Sequence, residues 1–282
     1  SMWTLPPTAM MQAMRDAGVR RAYLVTNPDS GKLEASLPAL EPLVETLKEH
    51  PDYFAHQGCF FEIGEESGHL LSAAVHQTTR GQAAGGVRFW RYETVGEFIR
   101  DGLRLGRGMG QKNALAGLWW GGGKGVIARQ DGVDHKDPEV RAKIYRDYGR
   151  FMTGLRGCYI TAEDVGTTPP DMANIFVATR HTTCIPEAVG GSGNPSKLTA
   201  CGVVVGMESA LDHLGLGSLE GKTIAMQGLG NVSRFMVAEL LERKVAKIIG
   251  ADIEQGVIDE LLAAHPGAPL EFRVVDLDDM SI

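Results

Sequence analysis

Lys222-Thr223-Ile224-Ala225-Met226-Gln227-Gly228-Leu229-Gly230-Asn231-Val232-Ser233 is the stretch that decides the fold. The first six residues read as a short strand, the two glycines as a tight turn, and Val232 to Arg243 as a helix. A second strand is expected over Ala246 to Ala251, with Asp252 at its end. Together these make one βαβ unit. A G-x-G-x-x-S run alone is weak, because Gly-rich turns are common. Here a strand precedes it, a helix opens on it, and an acid follows about 20 residues later, which is the context of a dinucleotide site. Gly228 permits the tight turn, and Gly230 lets a pyrophosphate approach the backbone. Asn231 and Val232 open the helix, where unpaired N–H groups favour an anion. Ser233 stands where a third Gly or Ala is usual, and is still small enough for close helix–strand packing. Asp252 is placed to accept hydrogen bonds from ribose hydroxyls and to repel a 2′-phosphate, which favours NAD over NADP. An ordinary turn with a solvated aspartate would carry the same letters; the surrounding pattern favours the cofactor reading.

Upstream, Gly190-Gly191-Ser192-Gly193-Asn194-Pro195 is rich in breakers and marks a domain boundary, dividing the chain into 3–193 and 194–282. Ser196 is read as the cap of a helix reaching about Leu214. Downstream, Glu271 to Val275 reads as a third strand, and Ile282 follows soon after. Two full βαβαβ halves need more sequence than this. The expected class is therefore α/β, with an N-terminal α/β substrate and oligomerisation domain followed by a Rossmann domain incomplete at its C-terminus. Ser1-Met2 is read as a tag-cleavage remnant.

The 282 residues suggest two domains. With 43% hydrophobic and 22% charged residues the chain can bury a core, and its net charge of −7 argues against nucleic acid as a partner. No apolar run approaches the ~20 residues that span a bilayer, and the N-terminus lacks a signal-peptide pattern, so no membrane partner is expected. Cys59, Cys158, Cys184 and Cys201 form no CxxC pair. Neither a metal site nor a disulfide framework is indicated, and reduced thiols in the cytoplasm are the plain reading.

In the first domain, Phe60 to Ile63 and Leu70 to His76 read as two strands joined by a turn over Gly64 to Gly68. A helix is expected from about Thr94 to about Ala116, with Phe98, Gly102, Leu105, Met109 and Lys112 sharing one face. Gly121 to Ala128 is read as a flexible loop running into a short strand. A helix begins near Asp137-Pro138, with Val140, Ile144, Tyr148 and Phe151 on its apolar side. Tyr159 to Asp164 is a strand with Asp164 at its C-terminal end, where α/β sheets present binding groups.

Lys124 lies among four glycines, between Trp119-Trp120 and Val126-Ile127. Desolvation and a second cation nearby would both disfavour its ammonium form and lower its pKa, as a general base requires. A phosphate-binding P-loop is excluded, since Gly125 follows the lysine where Ser or Thr is needed and Leu118 stands at the first glycine. In isolation Lys112 reads as a solvated helix residue, and Asp164 as a strand-end cap or ion-pair partner. Their occurrence beside a dinucleotide unit shifts both towards function.

Gly106-Arg107-Gly108-Met109, Lys112-Asn113-Ala114, Gly121-Gly122-Gly123-Lys124, Tyr159 to Thr168 and Ser192-Gly193-Asn194-Pro195-Ser196 resemble the Glu/Leu/Phe/Val dehydrogenases, nearest to the leucine branch. The likeness runs from about Phe60 to the end of the chain. The resemblance implies that Lys112 pairs with the substrate carboxylate, with Met109, Gly85 and Gly86 as its neighbours. It implies that Lys124 is the base activating water and that Asp164 exchanges a proton with the substrate nitrogen. Thr199 would lie near the nicotinamide carboxamide, and Ala84 and Ala162 on the substrate pocket.

The implied reaction is the reversible NAD-dependent deamination of an L-amino acid to a 2-oxo acid and ammonia. Hydride transfer needs two reactants held in contact, which a cleft between two domains can provide. Ala84 replaces a bulkier leucine of leucine dehydrogenases, and no extra cation is evident for a second carboxylate. An apolar substrate (Leu, Val, Ile, Phe or Trp) is thus expected over glutamate, and a homo-oligomer built on the first domain is implied. The alternative is a truncated, non-catalytic relative that serves as an oligomer partner or as an amino-acid- or nucleotide-binding module. A short-chain-type reductase would need a Tyr-x-x-x-Lys that is missing.

Overall fold

The computed structural model describes residues 1–276 and Asp279. It divides into two compact units, Ser1–Asn194 and Pro195–Ile282.

The first unit runs α1 (Pro7–Asp16), β1 (Arg21–Thr26), β2 (Leu33–Ala35), α2 (Glu41–Lys48), β3 (Gly58–Ile63), β4 (Leu70–Gln77), β5 (Ala83–Trp90), α3 (Val95–Leu115), β6 (Gly121–Ala128), α4 (Pro138–Gly154), β7 (Tyr159–Glu163) and α5 (Pro169–Ala178). Its sheet has the order β2-β1-β3-β4-β6-β5-β7. The strands up to β4 pair antiparallel, whereas β5 lies parallel to both β6 and β7. The expected hairpin is β3–β4, in register from Gly58↔Val75 to Ile63↔Leu70. Its turn is fastened from outside: the N–H groups of Glu66 and Ser67 donate to the buried Asp147 carboxylate on α4, at 3.0 and 2.8 Å.

One core lies between α1, α2, α3 and one face of the sheet, with Met10, Leu24, Phe61, Phe98 and Val126 at its centre. A second lies between the other face and α4 and α5, with Val87, Phe89, Ile127, Tyr148, Tyr159 and Ile175. Alternation along β6 therefore sends Val126 to one core and Ile127 to the other.

Two expectations for this unit change. The residues 121–128 do not begin as a flexible loop; all eight form one strand, buried throughout. The glycines are there because backbone and ring atoms occupy the space on both sides. A Cβ on Gly122 would strike the Gly106 carbonyl oxygen and come within 2.6 Å of the Gly110 nitrogen on α3; one on Gly123 would meet the Tyr159 ring at 2.7 Å, and one on Gly125 the Tyr148 hydroxyl. The helix stripe also turns. The buried face of α3 is Val95, Phe98, Ile99, Gly102, Leu103, Gly106 and Asn113, so Met109 lies at its margin and Lys112 outside it. Contact with the strand selects the glycines, which the apolar pattern underweights.

The second unit runs α6 (Ser196–His213), β8 (Thr223–Gln227), α7 (Asn231–Glu242), β9 (Lys247–Asp252), α8 (Gln255–Ala264) and β10 (Leu270–Val274). The order is β10-β9-β8, all parallel, around Val204, Ile224, Val237, Leu240, Ile248 and Ile258. Ser196 is the first residue of α6 and does not cap it; Pro195 holds the cap position.

The backbone contact between α3 and β6 predicts a contrast between two glycines. Gly122→Ala forces a methyl into main-chain atoms and should cost about 3 kcal/mol. Gly108→Ala, on α3 with open space around its Cβ position, should stabilise by about 0.5–1 kcal/mol through helix propensity. Urea unfolding of both variants checks this, and equal effects would refute it.

Candidate active site and cofactor turn

The close approach of α3 to β6 explains the state of Lys124. On β6 the side chains of Lys124 and Val126 point towards α3, and Gly106 and Gly110 let the helix backbone lie directly over the strand. Lys124 is only 3% exposed as a result. Trp119 and Trp120 do not supply this burial; they are 79% and 37% exposed, with Arg80 stacked on Trp119. Burial lowers the lysine pKa from its usual 10.5, and although Asp164 pulls the other way, Arg88 adds to the lowering.

Asp164 follows β7 immediately. Its Oδ2 accepts from Lys124 Nζ at 2.9 Å and from Arg88 Nε at 2.9 Å. Burial alone would raise this carboxyl, but the two cations outweigh it and hold the pKa below the ordinary aspartate value. Arg88, on β5, also donates from one terminal nitrogen to both oxygens of Asp101, at 3.1 and 3.0 Å. The Tyr92 hydroxyl donates to Asp101 Oδ2 at 2.7 Å. Lys124, Asp164, Arg88 and Asp101 thus form one chain of alternating charge, drawn from two neighbouring strands, the end of a third, and a helix. Such a set offers a poised amine and an ionised carboxylate side by side, the pairing that proton exchange requires.

In the second unit, Gly228 takes a φ of +84°, which favours glycine, and the turn leads into α7 with Gly230 at its cap. Asp252 fastens this turn to β9. Its Oδ2 accepts from the Leu229 N–H at 2.7 Å and its Oδ1 from the Glu254 N–H at 3.0 Å. Ser233 Oγ donates to the Gly228 carbonyl at 2.7 Å. A Cβ on Gly230 would meet nothing within 4 Å, so open space lies beside the helix N-terminus. A dinucleotide pyrophosphate fits there, against the first N–H groups of α7.

Residues 63–181 match the family model described as Glu/Leu/Phe/Val dehydrogenase, dimerisation domain, and residues 190–261 match that of Glutamate/Leucine/Phenylalanine/Valine dehydrogenase. The chain belongs to this family. It is 43% identical over 235 residues to the leucine dehydrogenase of Bacillus subtilis, covering 83% of this chain and 62% of that protein. It is 38% identical over 220 residues to the valine dehydrogenase of Streptomyces albus, covering 77% of this chain and 58% of that protein. Among solved structures, the L-tryptophan dehydrogenase of Nostoc punctiforme superimposes with a TM-score of 0.56 at 30% identity, covering 82% of this chain and 62% of that one. The chain thus spans about three fifths of the length of these relatives. A nicotinamide cofactor is consistent with membership of a dehydrogenase family.

Within this dehydrogenase frame the expected residues fall into three groups. Lys124 and Asp164 are in direct contact. Gly85, Gly86 and Met109 line up beside them: a Cβ on Gly85 would meet the Gly123 carbonyl and lie 2.9 Å from Met109 Cγ, and one on Gly86 would lie 2.8 Å from Asp164 Cβ. Ala84 is buried and Ala162 half-buried on neighbouring strands, with Ala162 opposite Gly86 in register. Lys112 is exposed on the last turn of α3 and makes no ion pair among the described residues. Thr199 is exposed on α6, its hydroxyl donating to the Pro195 carbonyl at 3.0 Å.

The sequence reading did not single out Arg88, Asp101 or Tyr92. Arg88 was accessible, since it lies two residues beyond Gly86 on the same face of a strand. No helix of the described residues is long and apolar enough to cross a membrane.

Glu163, beside Asp164 in the chain but on the opposite face of the sheet, gives a pH test. Its buried Oε2 has no hydrogen-bond partner among the described residues. Burial, with Asp171 adding to it, raises its pKa to about 7. An acid whose folded pKa exceeds its unfolded value of 4.5 takes stability away as pH rises, and the penalty is complete once pH passes about 7. Glu163→Gln should therefore stabilise by about 1 kcal/mol at pH 8.5, a figure reduced for the solvent that reaches the side chain, and by clearly less at pH 5.5. Denaturant unfolding at the two pH values measures it, and a gain confined to the lower pH would contradict the assignment.

Proposed function

We propose that the chain catalyses the reversible NAD-dependent oxidative deamination of an apolar L-amino acid to the 2-oxo acid and ammonia. The observation that carries this reading is the buried Lys124–Asp164 pair, in which burial depresses the lysine pKa while the aspartate stays ionised. Lys112 receives the substrate carboxylate; its side chain is exposed and makes no ion pair among the described residues. Asp164 exchanges a proton with the substrate nitrogen, and its negative charge favours the iminium that develops there. Lys124, in its neutral form, takes a proton from the water that attacks the iminium carbon. A bound nicotinamide dinucleotide would supply the hydride acceptor; Gly228, Gly230, Asn231 and Val232 would hold its pyrophosphate, Asp252 its ribose, and Thr199 would stand near its carboxamide. The carboxylate of Asp252 favours NAD over its 2′-phosphorylated form.

An apolar side chain is favoured on two grounds. The cation beside the centre, Arg88, is already committed to two carboxylates, Asp164 and Asp101, and is not available to a second substrate carboxylate. The relatives named above are leucine, valine and tryptophan dehydrogenases. A homo-oligomer formed through the first unit fits the match of residues 63–181 to a dimerisation domain, and four free thiols fit a reducing cytoplasm.

The test is absorbance of reduced nicotinamide when the chain is mixed with NAD and leucine, valine, phenylalanine, tryptophan or glutamate. Turnover is expected with an apolar amino acid, and Lys124→Ala should lower it by about 10²–10⁴. Glutamate as best substrate would reject the apolar assignment. A folded chain without turnover would instead indicate a non-catalytic relative that binds amino acid or nucleotide.

A further inference from the structure

A buried lysine–aspartate pair poses a difficulty for a base. Each partner stabilises the charge of the other, so the pair by itself favours the ammonium. If the lysine does give up its proton, the aspartate is left as an uncompensated buried charge, a state that costs several kcal/mol. The structure contains a group placed to resolve this. Arg88 Nε donates to the same oxygen, Asp164 Oδ2, that accepts from Lys124 Nζ, and both distances are 2.9 Å.

We infer that Arg88, oriented by Asp101 and Tyr92, is the positioning residue of the centre: it holds Asp164 through the oxygen shared with Lys124 and remains as that carboxylate's counterion when Lys124 is neutral. The inference rests on the dehydrogenase reading above for the identity of the base. Three features support it. Arginine keeps its charge across the working pH range, so Asp164 always has one permanent cation. Both cations sit on Oδ2, which leaves Oδ1 as the oxygen to present to a substrate nitrogen. And Arg88 is itself over-determined: Asp101 takes one of its terminal nitrogens with both oxygens, and Tyr92 donates to Asp101 from the loop before α3.

The charged groups around Lys124 are Asp164 at the end of β7, Arg88 on β5 and Asp101 on α3. Arg88 opposes the ammonium, whereas Asp101, lying behind Arg88, favours it. Neutralising the two should therefore move Lys124 in opposite directions. A structural tie between β5 and α3 would weaken in both variants but would not produce opposite signs.

The experiment follows the titration of Lys124 by carbon NMR in the lysine-labelled full chain, with its signal assigned by its loss in Lys124→Arg, alongside the pH profile of kcat/KM for the amino acid. Arg88→Gln should move the Lys124 titration, and the acid limb of the profile, up by about one pH unit, and Asp101→Asn should move both down by a smaller amount. Arg88→Lys should restore part of the shift. Titrations that stay put, or move in the same direction in both variants, would overturn the inference. Should Arg88→Gln fail to fold, a downward shift in Asp101→Asn supports the inference, and its absence overturns it. NMR shifts of the expected signs without any turnover would uphold the role of Arg88 while rejecting the dehydrogenase reading. Turnover dependent on Lys124 with unmoved titrations would do the reverse.

Discussion

Main chain rests on main chain where α3 crosses β6, and the rest of the first unit is arranged around that contact. No side chain separates Gly106 and Gly110 from Gly122. The helix also lies against Lys124 itself, since a Cβ on Gly106 would come 3.6 Å from the Lys124 nitrogen, and the lysine is almost fully buried. The opposite face of the same strand has to be filled by groups that tolerate glycine opposite them. Tyr148 and Tyr159 do this with their rings, and their hydroxyls donate to the carbonyls of Ser72 and Gly85 at 3.2 and 2.5 Å. A strand of glycine has little intrinsic preference for extended structure. Here it is held extended by β4 on one side and β5 on the other.

Desolvation acts on every buried ionisable group of the unit, and the outcome depends on the company each keeps. His56 and His69 are almost fully buried; burial drives each pKa to about 4, and they remain neutral, bonded to the carbonyl oxygens of Leu103 and Ser67. Glu163 is opposed by burial and by Asp171, and rises towards neutrality. Asp164 feels burial too, yet two cations on one oxygen more than compensate. Adjacent carboxylates in the sequence thus diverge by their neighbours: Asp164, just past β7, meets Lys124 and Arg88, whereas Glu163, the last residue of β7, feels Asp171.

Much of this was legible in the letters. The βαβ unit, the hairpin, the helix over about Thr94 to Ala116 and the strand leading to Asp164 follow from period and breakers. Glycines 121–125 were harder, because glycine signals a flexible loop and a close-packed strand alike, and only the atoms across the gap separate the two. The same ambiguity hid the true face of α3, where small residues rather than large ones make the contact. For the site, Lys124 and Asp164 were readable through motif and position. Arg88 could be reached only through its place two residues beyond Gly86, and Asp101 and Tyr92 not at all, since an aspartate 13 residues from its arginine announces nothing until the strands and the helix are folded together.

Asp252 has a double tenancy. Its two oxygens already accept the Leu229 and Glu254 N–H groups, so the residue we propose to meet a ribose is also the clasp that keeps the glycine turn closed on β9. For protein engineering this couples two properties usually treated as separable. Exchanging the acid to welcome a phosphorylated nucleotide would remove the clasp as well, and the turn would need a replacement acceptor for the freed amides before any new selectivity could be expressed.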